Sequence, residues 1–135
     1  MLIHKTQIKE FSLEKDTDPK TIFRLGVIDP LVAARLIDAN MEVKRPEAAE
    51  ESRTIFHTEE QLYLFALCGI KGWGNLKDAQ GNEVPFEVEE KVLFGTKVFC
   101  VKPELLAQHL TLNQIVEIGT AAKKISTLGV DEIKN

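Results

Sequence analysis

An apolar, helix-length segment that leads directly into a glycine-rich stretch is the feature that most limits how this chain can fold. Residues 62–70 read Leu-Tyr-Leu-Phe-Ala-Leu-Cys-Gly-Ile, and the following Lys-Gly-Trp-Gly-Asn contains the only tryptophan. Apolar residues recur at helical spacing and widen to more than one face. The pattern predicts a largely buried helix that begins at the capping box Thr58–Gln61 and ends near Gly69–Gly72, where two glycines can adopt left-handed caps.

Two hairpins are predicted on either side of that helix. Residues 3–13 alternate loosely between apolar and polar side chains, and 21–28 are rich in β-branched and aromatic residues. A short polar turn separates these two segments, so we expect them to pair. A second hairpin joins 91–94 to 97–101 through Gly95-Thr96, where glycine in first place favours a type II′ turn. One long bent strand is the alternative for this second region.

Further helices are indicated by their end signals. Asp29-Pro30 supplies an N-cap and a first-turn proline, and Pro46 ends that helix. Its predicted buried stripe consists of Val32, Leu36, Ala39 and Val43. A short helix follows Lys102-Pro103, and a second capping box, Thr111–Gln114, begins the last helix. The stripe of that last helix consists of Ile115, Ile118, Gly119, Ala122 and Ile125. The charged segment 44–57 has no apolar stripe, which favours an exposed connection that can change shape when a partner binds.

These elements predict one α+β domain over residues 1–135. We expect a small antiparallel sheet, made of the N-terminal hairpin plus a second hairpin, packed against three to four helices. A chain of 135 residues is long enough to bury about two-thirds of its unfolded surface. With 44% hydrophobic residues, the composition is that of an ordinary globular protein.

Charge and hydropathy exclude several classes of partner. The net charge is −4, and the basic residues are scattered among acidic ones. Nucleic-acid binding needs clustered Lys and Arg, so no nucleic-acid partner is expected. No apolar run approaches the roughly 20 residues that span a bilayer, so no membrane partner is expected either. The N-terminal residues lack the apolar core of a signal peptide, and Cys68 and Cys100 lie in apolar segments as buried thiols do, which together favour a reducing cytoplasm.

Candidate catalytic groups do not form a recognisable site. His4, His57 and His109 stand without Cys or carboxylate partners at ligand spacing, which favours structural or surface histidines. The carboxylate-rich runs 47–51 and 87–90 are charged stretches without the apolar setting of a catalytic pair. Neither a triad, a metal motif nor a cofactor fingerprint is present. The sequence therefore predicts a protein that is not an enzyme and takes no metal or cofactor.

Residues 69–86 carry a distinctive pattern, Gly-x-x-Gly-Trp-x-Asn-x-x-Asp-x-x-Gly-x-x-x-Pro-Phe. This stretch resembles small proteins of tailed-bacteriophage and prophage morphogenesis modules, in which a similar pattern follows an apolar helix. The segment Asp18–Phe23 and the ending, Leu128 followed by an acidic run that closes in Lys134-Asn135, resemble theirs too. One departure is Gly74, which stands where a larger polar residue such as Glu is expected.

The resemblance implies a non-enzymatic capsid or head–tail protein that works through contacts with other phage structural or assembly proteins, or with itself. A tail-assembly chaperone that is absent from the mature particle is the alternative. The implied location is the host cytoplasm during assembly, and the virion for a structural component. A small regulatory or ligand-binding module is a second alternative.

The candidate partner-binding residues are Ile70, Trp73, Leu76 and Phe86, together with the connection 44–57. Trp73 has two interpretations. It could pack back onto the helix as a lid on the core, or it could be an exposed anchor, because tryptophan is enriched in binding hot spots.

Overall fold

A computed structural model describes residues 8–16, 20–42 and 48–128 of the chain, and for 38–42 and 48–58 it describes the backbone alone. The elements in chain order are β1 Ile8–Phe11, β2 Ile22–Gly26, α1 Pro30–Glu42, α2 Ala48–Gly69, β3 Ile70–Gly74, β4 Val88–Leu93, β5 Thr96–Val101, α3 Pro103–His109 and α4 Leu112–Leu128. The predicted α+β class is confirmed. The antiparallel strands form two separate sheets, β1-β2-β3 and β4-β5.

The first sheet contains the predicted N-terminal hairpin and one strand that the sequence pattern did not indicate. β1 pairs with β2 as predicted, and β3 pairs antiparallel with the other edge of β2. The two glycines predicted as helix caps do not end α2 in a left-handed turn. In the described residues, the glycines with positive φ are Gly81 and Gly95. The chain instead passes from α2 directly into β3, because the free edge of β2 offers backbone partners there.

Helix α2 begins earlier than predicted. It starts at Ala48, so the interpretation of 44–57 as a non-helical connection is wrong for residues 48–57, and 43–47 lie outside the described residues. The segment begins with two alanines and two glutamates at 48–51, and these residue types favour helix regardless of burial. A missing apolar stripe is therefore no sign of a missing helix. The predicted capping box at Thr58 is wrong as well, since Thr58 lies inside α2.

Gln61, assigned to that capping box, instead joins three helices. Its side chain is buried. Its Nε2 donates to the carbonyl oxygen of Leu36 in α1 at 3.0 Å, and its Oε1 accepts from Lys123 Nζ in α4 at 2.9 Å. A buried amide group without hydrogen-bond partners would destabilise the fold. Both the Nε2 and the Oε1 of Gln61 have a partner, so this cost is avoided.

The helix-start predictions elsewhere are confirmed, whereas Pro46, predicted to end the first helix, lies outside the described residues. Asp29 Oδ1 accepts from the backbone N–H of Leu31 at 2.9 Å and of Val32 at 3.3 Å at the start of α1. Thr111 and Gln114 form the reciprocal capping box of α4, with distances of 2.9 and 3.2 Å. These caps depend on neighbours in sequence alone, which is why pattern reading located them.

α2 and α4 pack closely through the small residues of the predicted α4 stripe. A Cβ added at Gly119 would overlap the backbone carbonyl of Leu62, and one added at Gly69 would lie 2.7 Å from the Cβ of Ala122. The other stripe residues of α4 are buried beside this contact: Ile115, Ile118, Ala122 and Ile125. Glycine at position 119 thus sets the distance between the two helices.

The predicted second hairpin is confirmed, and the single bent strand is wrong. Leu93 pairs with Thr96, so the loop consists of Phe94 and Gly95 instead of Gly95 and Thr96. Both loop residues have positive φ, 52° and 78°. That combination defines a type I′ turn, so the predicted type II′ turn is wrong. β5 packs against α2 and β3, whereas β4 lies on the outer side of β5.

One core lies between the helices and the first sheet, and its fully buried side chains include Phe23, Phe65, Leu25, Leu67 and Ile118. Val32 and Leu36 of the predicted α1 stripe belong to it, while the side chains of Ala39 and Val43 lie outside the described residues. None of the described helices combines the length and apolarity needed to cross a bilayer.

Candidate protein-interaction surface

The sequence-predicted contact residues lie around the connection between β3 and β4. Ile70, Trp73 and Leu76 are buried in the core, with Trp73 only 7% exposed, and Phe86 is half-buried beside them. Trp73 therefore packs on the core, which was the first of its two interpretations. A partner role for these four residues stays a prediction, and the exposed side chains that we describe below belong to other positions.

Trp73 is held on three sides. Its ring meets those of Phe23 and Phe86 edge to face, with centroids 6.3 and 4.9 Å apart. Its Nε1 donates to the carbonyl oxygen of Val84 at 2.8 Å. A buried indole N–H needs such a partner, and here the partner lies on the connection itself. Trp73 thus ties residues 84–86 to the first sheet.

Other members of the glycine-tryptophan pattern shape the same connection. Asp78 Oδ1 accepts from the backbone N–H of Gln80 and of Asn82, each at 2.9 Å, which closes a tight turn. Gly81 has φ of 83°, and Asn75 has φ of 63°. The backbone N–H of Asn75 donates to Glu83 Oε1 at 2.9 Å. The pattern that carries the family resemblance therefore has an architectural explanation in this chain.

Exposed apolar side chains gather on the β4–β5 hairpin instead. Val88, Val92, Phe94 and Phe99 are between 48% and 67% exposed, and we call them the hairpin surface. The three on the strands lie on the outer face, because alternate residues of each strand point away from the body. Single exposed apolar residues are ordinary, but a group of them on one small hairpin makes this surface a candidate contact site.

The turn of the hairpin presents Phe94 at an energetic cost. A residue with a Cβ at positive φ is strained by roughly 1–2 kcal/mol, and type I′ turns prefer Asn or Asp in this place. Phe94 has φ of 52° and remains exposed, so its ring gains little from burial in return. Local strain that folding alone does not explain is a recognised mark of a functional position.

The β4 edge of the hairpin has no strand partner in the described part of the chain. Lys102 N–H donates to the Glu87 carbonyl at 3.0 Å, which extends the β4–β5 ladder beyond the strands. Bonded pairs alternate along an antiparallel ladder, so the odd-numbered residues of β4 bond to β5. The backbone groups of Val88, Glu90 and Val92 therefore point away from β5.

The remaining candidate groups are the two cysteines, the three histidines and the carboxylate-rich runs. Burial raises the pKa of the Cys68 thiol to about 11, and burial also raises the pKa of Cys100. Neither thiol is in a disulfide. Thiols with raised pKa values are poor nucleophiles at neutral pH. No cluster of metal-ligating side chains occurs among residues whose positions are described. His109 is half-buried, and the side chains of His4 and His57 lie outside the described residues.

A groove of about 370 Å³ lies between β1 and α4, on the first sheet. Its apolar floor is made of Phe11, Leu25, Ala121 and Ile125. Lys9, Lys124 and Glu117 line the groove as well. The volume is within the lower range of pockets that take small ligands.

Comparison with known proteins adds no relative. No family model matches the sequence, and no curated protein or solved structure shows significant similarity to it. What this protein binds is therefore to be inferred from its own sequence pattern and surfaces.

Proposed function

We propose that this protein is a non-enzymatic bacteriophage or prophage structural protein of the capsid or head–tail region, which acts through protein–protein contacts in virion assembly. The observation that carries the proposal is the hairpin surface, a group of exposed apolar side chains with a strained Phe94 at its tip. The family resemblance of residues 69–86 supplies the phage context.

The hairpin surface supports a binding role because of how it is built. Aromatic side chains are the strongest anchors in protein interfaces, and Phe94 and Phe99 are both exposed. β5 rests on α2 and β3, so the surface is held by the body of the domain. A supported surface loses little conformational entropy on binding, which favours affinity.

This assignment gives the pattern around Trp73 a supporting role. Its buried residues fix the path of the chain from β3 to β4, and they thereby set where the hairpin begins. A direct contact through Trp73 would require the ring to leave its contacts with Phe23, Phe86 and the Val84 carbonyl. We therefore place the contact on the hairpin surface.

The test is quantitative mass spectrometry of purified phage particles and of the lysate from the same induced cells. We expect the protein in the particle at a copy number that matches a symmetric position in the head or the head–tail junction. Abundance in the lysate together with absence from the particle would contradict the structural role and would favour the tail-assembly chaperone.

Two variants test whether incorporation into the particle depends on the hairpin surface. Phe99→Ser removes the most exposed aromatic side chain of the hairpin surface, and we expect it to lower the copy number per particle at least tenfold. Ile8→Ser is the matched control, because Ile8 is similarly exposed but lies on β1 in the other sheet. Equal incorporation of both variants would mean that the hairpin surface does not make the proposed contact.

A ligand-binding module is the second candidate, and the groove between β1 and α4 is what favours it. The apolar floor, with Lys9 and Lys124 outnumbering the single carboxylate of Glu117 beside it, would suit a small amphiphilic anion. Native mass spectrometry of the protein purified from its own cells would show a bound mass that Ala121→Trp, which fills the groove, removes. A protein with no bound mass would leave this candidate without support.

A further inference from the structure

The open edge of β4 has a sequence that complements itself when two copies run antiparallel. The strand reads Val88-Glu89-Glu90-Lys91-Val92 before its last residue, Leu93. With a two-fold axis at Glu90, Val88 lies opposite Val92 of the second copy. Glu89 then lies opposite Lys91 of the second copy. Each of these pairs occurs twice, because a two-fold axis repeats every contact.

The backbone allows this arrangement. The groups of Val88, Glu90 and Val92 that point away from β5 are the ones that would bond across the axis. An edge strand with unpaired N–H and C=O groups is a template for a further strand. Among the described residues nothing pairs with this edge, and Val88 and Val92 are exposed along it.

Other registers that keep the same backbone pairing are less favourable. An axis at Lys91 would place Lys91 opposite itself and Glu89 opposite Leu93. An axis at Glu89 would place two glutamates opposite each other and Val88 opposite Glu90. Opposite charges and apolar pairs stabilise neighbouring strands, whereas like charges destabilise them. The axis at Glu90 has one like-charge pair, Glu90 with itself, against four favourable pairs.

We propose that two copies of this chain pair antiparallel along β4 and join their hairpins into one continuous four-stranded sheet. The inference deepens the proposed function, and it rests on that proposal for treating the hairpin as a contact region. In the paired sheet the two hairpin surfaces lie on the same face, since residues of equal parity share a face. The dimer therefore presents twice the apolar surface to a further phage protein.

Charge reversal on the full-length protein tests the pairing. The unaltered chain is expected to dimerise in sedimentation equilibrium at micromolar to submillimolar concentration. Glu89→Lys and Lys91→Glu each place like charges opposite one another twice, so each alone should weaken the dimer at least tenfold. The double variant E89K/K91E restores opposite charges and should recover dimerisation. An equimolar mixture of the two single variants should form a mixed dimer, because each then supplies the charges that the other needs.

Glu90→Gln tests the pairing with a substitution that should strengthen the dimer instead of weakening it. It removes the single like-charge pair at the axis, and we expect the dimer to tighten about two- to fivefold, as a cross-strand term of this kind allows. Few surface substitutions strengthen an interface, so this result would be specific to the register. Circular dichroism of every variant checks that the fold is kept.

Three outcomes would overturn the inference. A chain that stays monomeric at submillimolar concentration has no self-pairing edge. A dimer that withstands both single charge reversals uses another surface. Single variants that fail to associate when mixed exclude the proposed register. The proposed function is tested independently of this inference. Its test is particle incorporation, which is measured by mass spectrometry and does not depend on dimerisation in solution.

Discussion

Aromatic side chains occupy two neighbouring regions of this molecule in opposite ways. Around the connection from β3 to β4, Trp73 is buried between Phe23 and Phe86, and its one polar atom is paired. On the adjacent hairpin, Phe94 and Phe99 face outward, and Phe94 has a strained backbone. Burial of its aromatic residues stabilises the first region, whereas the strained backbone at Phe94 destabilises the second. The difference separates residues that build the fold from residues that are available for binding.

Replacing Trp73 should give the largest effect. Trp73→Ala removes a buried aromatic side chain and its bond to Val84, so we expect the free energy of unfolding to fall by about 3–5 kcal/mol. Trp73→Phe keeps an aromatic ring and loses the indole N–H, and it should cost about 1–3 kcal/mol because the Val84 carbonyl is left unpaired. Urea denaturation followed by circular dichroism measures both. A loss below 1 kcal/mol for Trp73→Ala would mean that the ring is not part of the core.

Cysteine reactivity should show which region opens first. Cys68 lies at the end of α2, and Cys100 lies on β5, and both are buried. Burial raises the pKa of Cys68 to about 11 and raises the pKa of Cys100, so both thiols stay protonated in the folded chain at pH 8. Both thiols are buried, so modification must pass through local opening. Opening removes the burial that raises the pKa, so the rate should rise with pH toward the ordinary pKa of an exposed thiol.

A two-stranded sheet with an open edge unfolds locally more easily than a packed helix. We therefore expect Cys100 to react at least about tenfold faster than Cys68, a difference of about 1.4 kcal/mol in opening free energy. The variants Cys68→Ser and Cys100→Ser isolate each thiol, and a disulfide reagent at pH 8 gives the two rates. Equal rates would indicate that the hairpin opens only when the whole domain unfolds.

Phe94→Asn should stabilise the protein while it damages the hairpin surface. Asparagine tolerates positive φ, and Asn-Gly is the preferred type I′ turn, so we expect a gain of about 1 kcal/mol. Particle incorporation should fall at the same time, because an aromatic anchor is lost. Val92→Ser is a matched control, since it removes apolar surface from the hairpin without relieving the turn. A stabilised variant that is incorporated normally would show that Phe94 has no role in binding.

Phe99→Ser should have the smallest effect on stability. The side chain is 67% exposed, and surface substitutions usually change stability by less than about 0.5 kcal/mol. Its effect on particle incorporation is expected to be large, as proposed above. Thermal unfolding of the variant beside the unaltered protein decides whether this separation of stability from binding holds. A large loss of stability would place Phe99 in the core, and the contrast between the two regions would then fail.

Local chemistry accounts for what the sequence predicted correctly. The N-cap at Asp29 and the capping box at Thr111 depend on residues within one turn, and both are present. The apolar stripe of α4 follows from helical spacing and is buried. The second hairpin followed from its β-branched composition.

The predictions were wrong where one local sequence pattern is compatible with more than one structure. Residues 70–74 contain two glycines and no clear alternation of apolar and polar side chains, so their sequence does not predict β3. The strand forms because β2 has a free edge with which it can pair. The pattern at Thr58–Gln61 fits a helix start, but Gln61 is used between α1 and α4 instead. The turn shifted by one residue, to Phe94-Gly95, because the register of β4 on β5 decides which residues close it.

By itself, then, the sequence determined the α+β class and most helix positions, because these depend on residue spacing and composition. Tertiary structure alone decided which aromatic residues are buried. Trp73 is flanked by two glycines and Phe99 by Val98 and Cys100, and neither set of neighbours decides which ring is buried. Trp73 meets Phe23 and Phe86 from other parts of the chain, while the side chain of Phe99 stays 67% exposed. Burial is a property of long-range contacts, and those are set only when the helices and sheets pack.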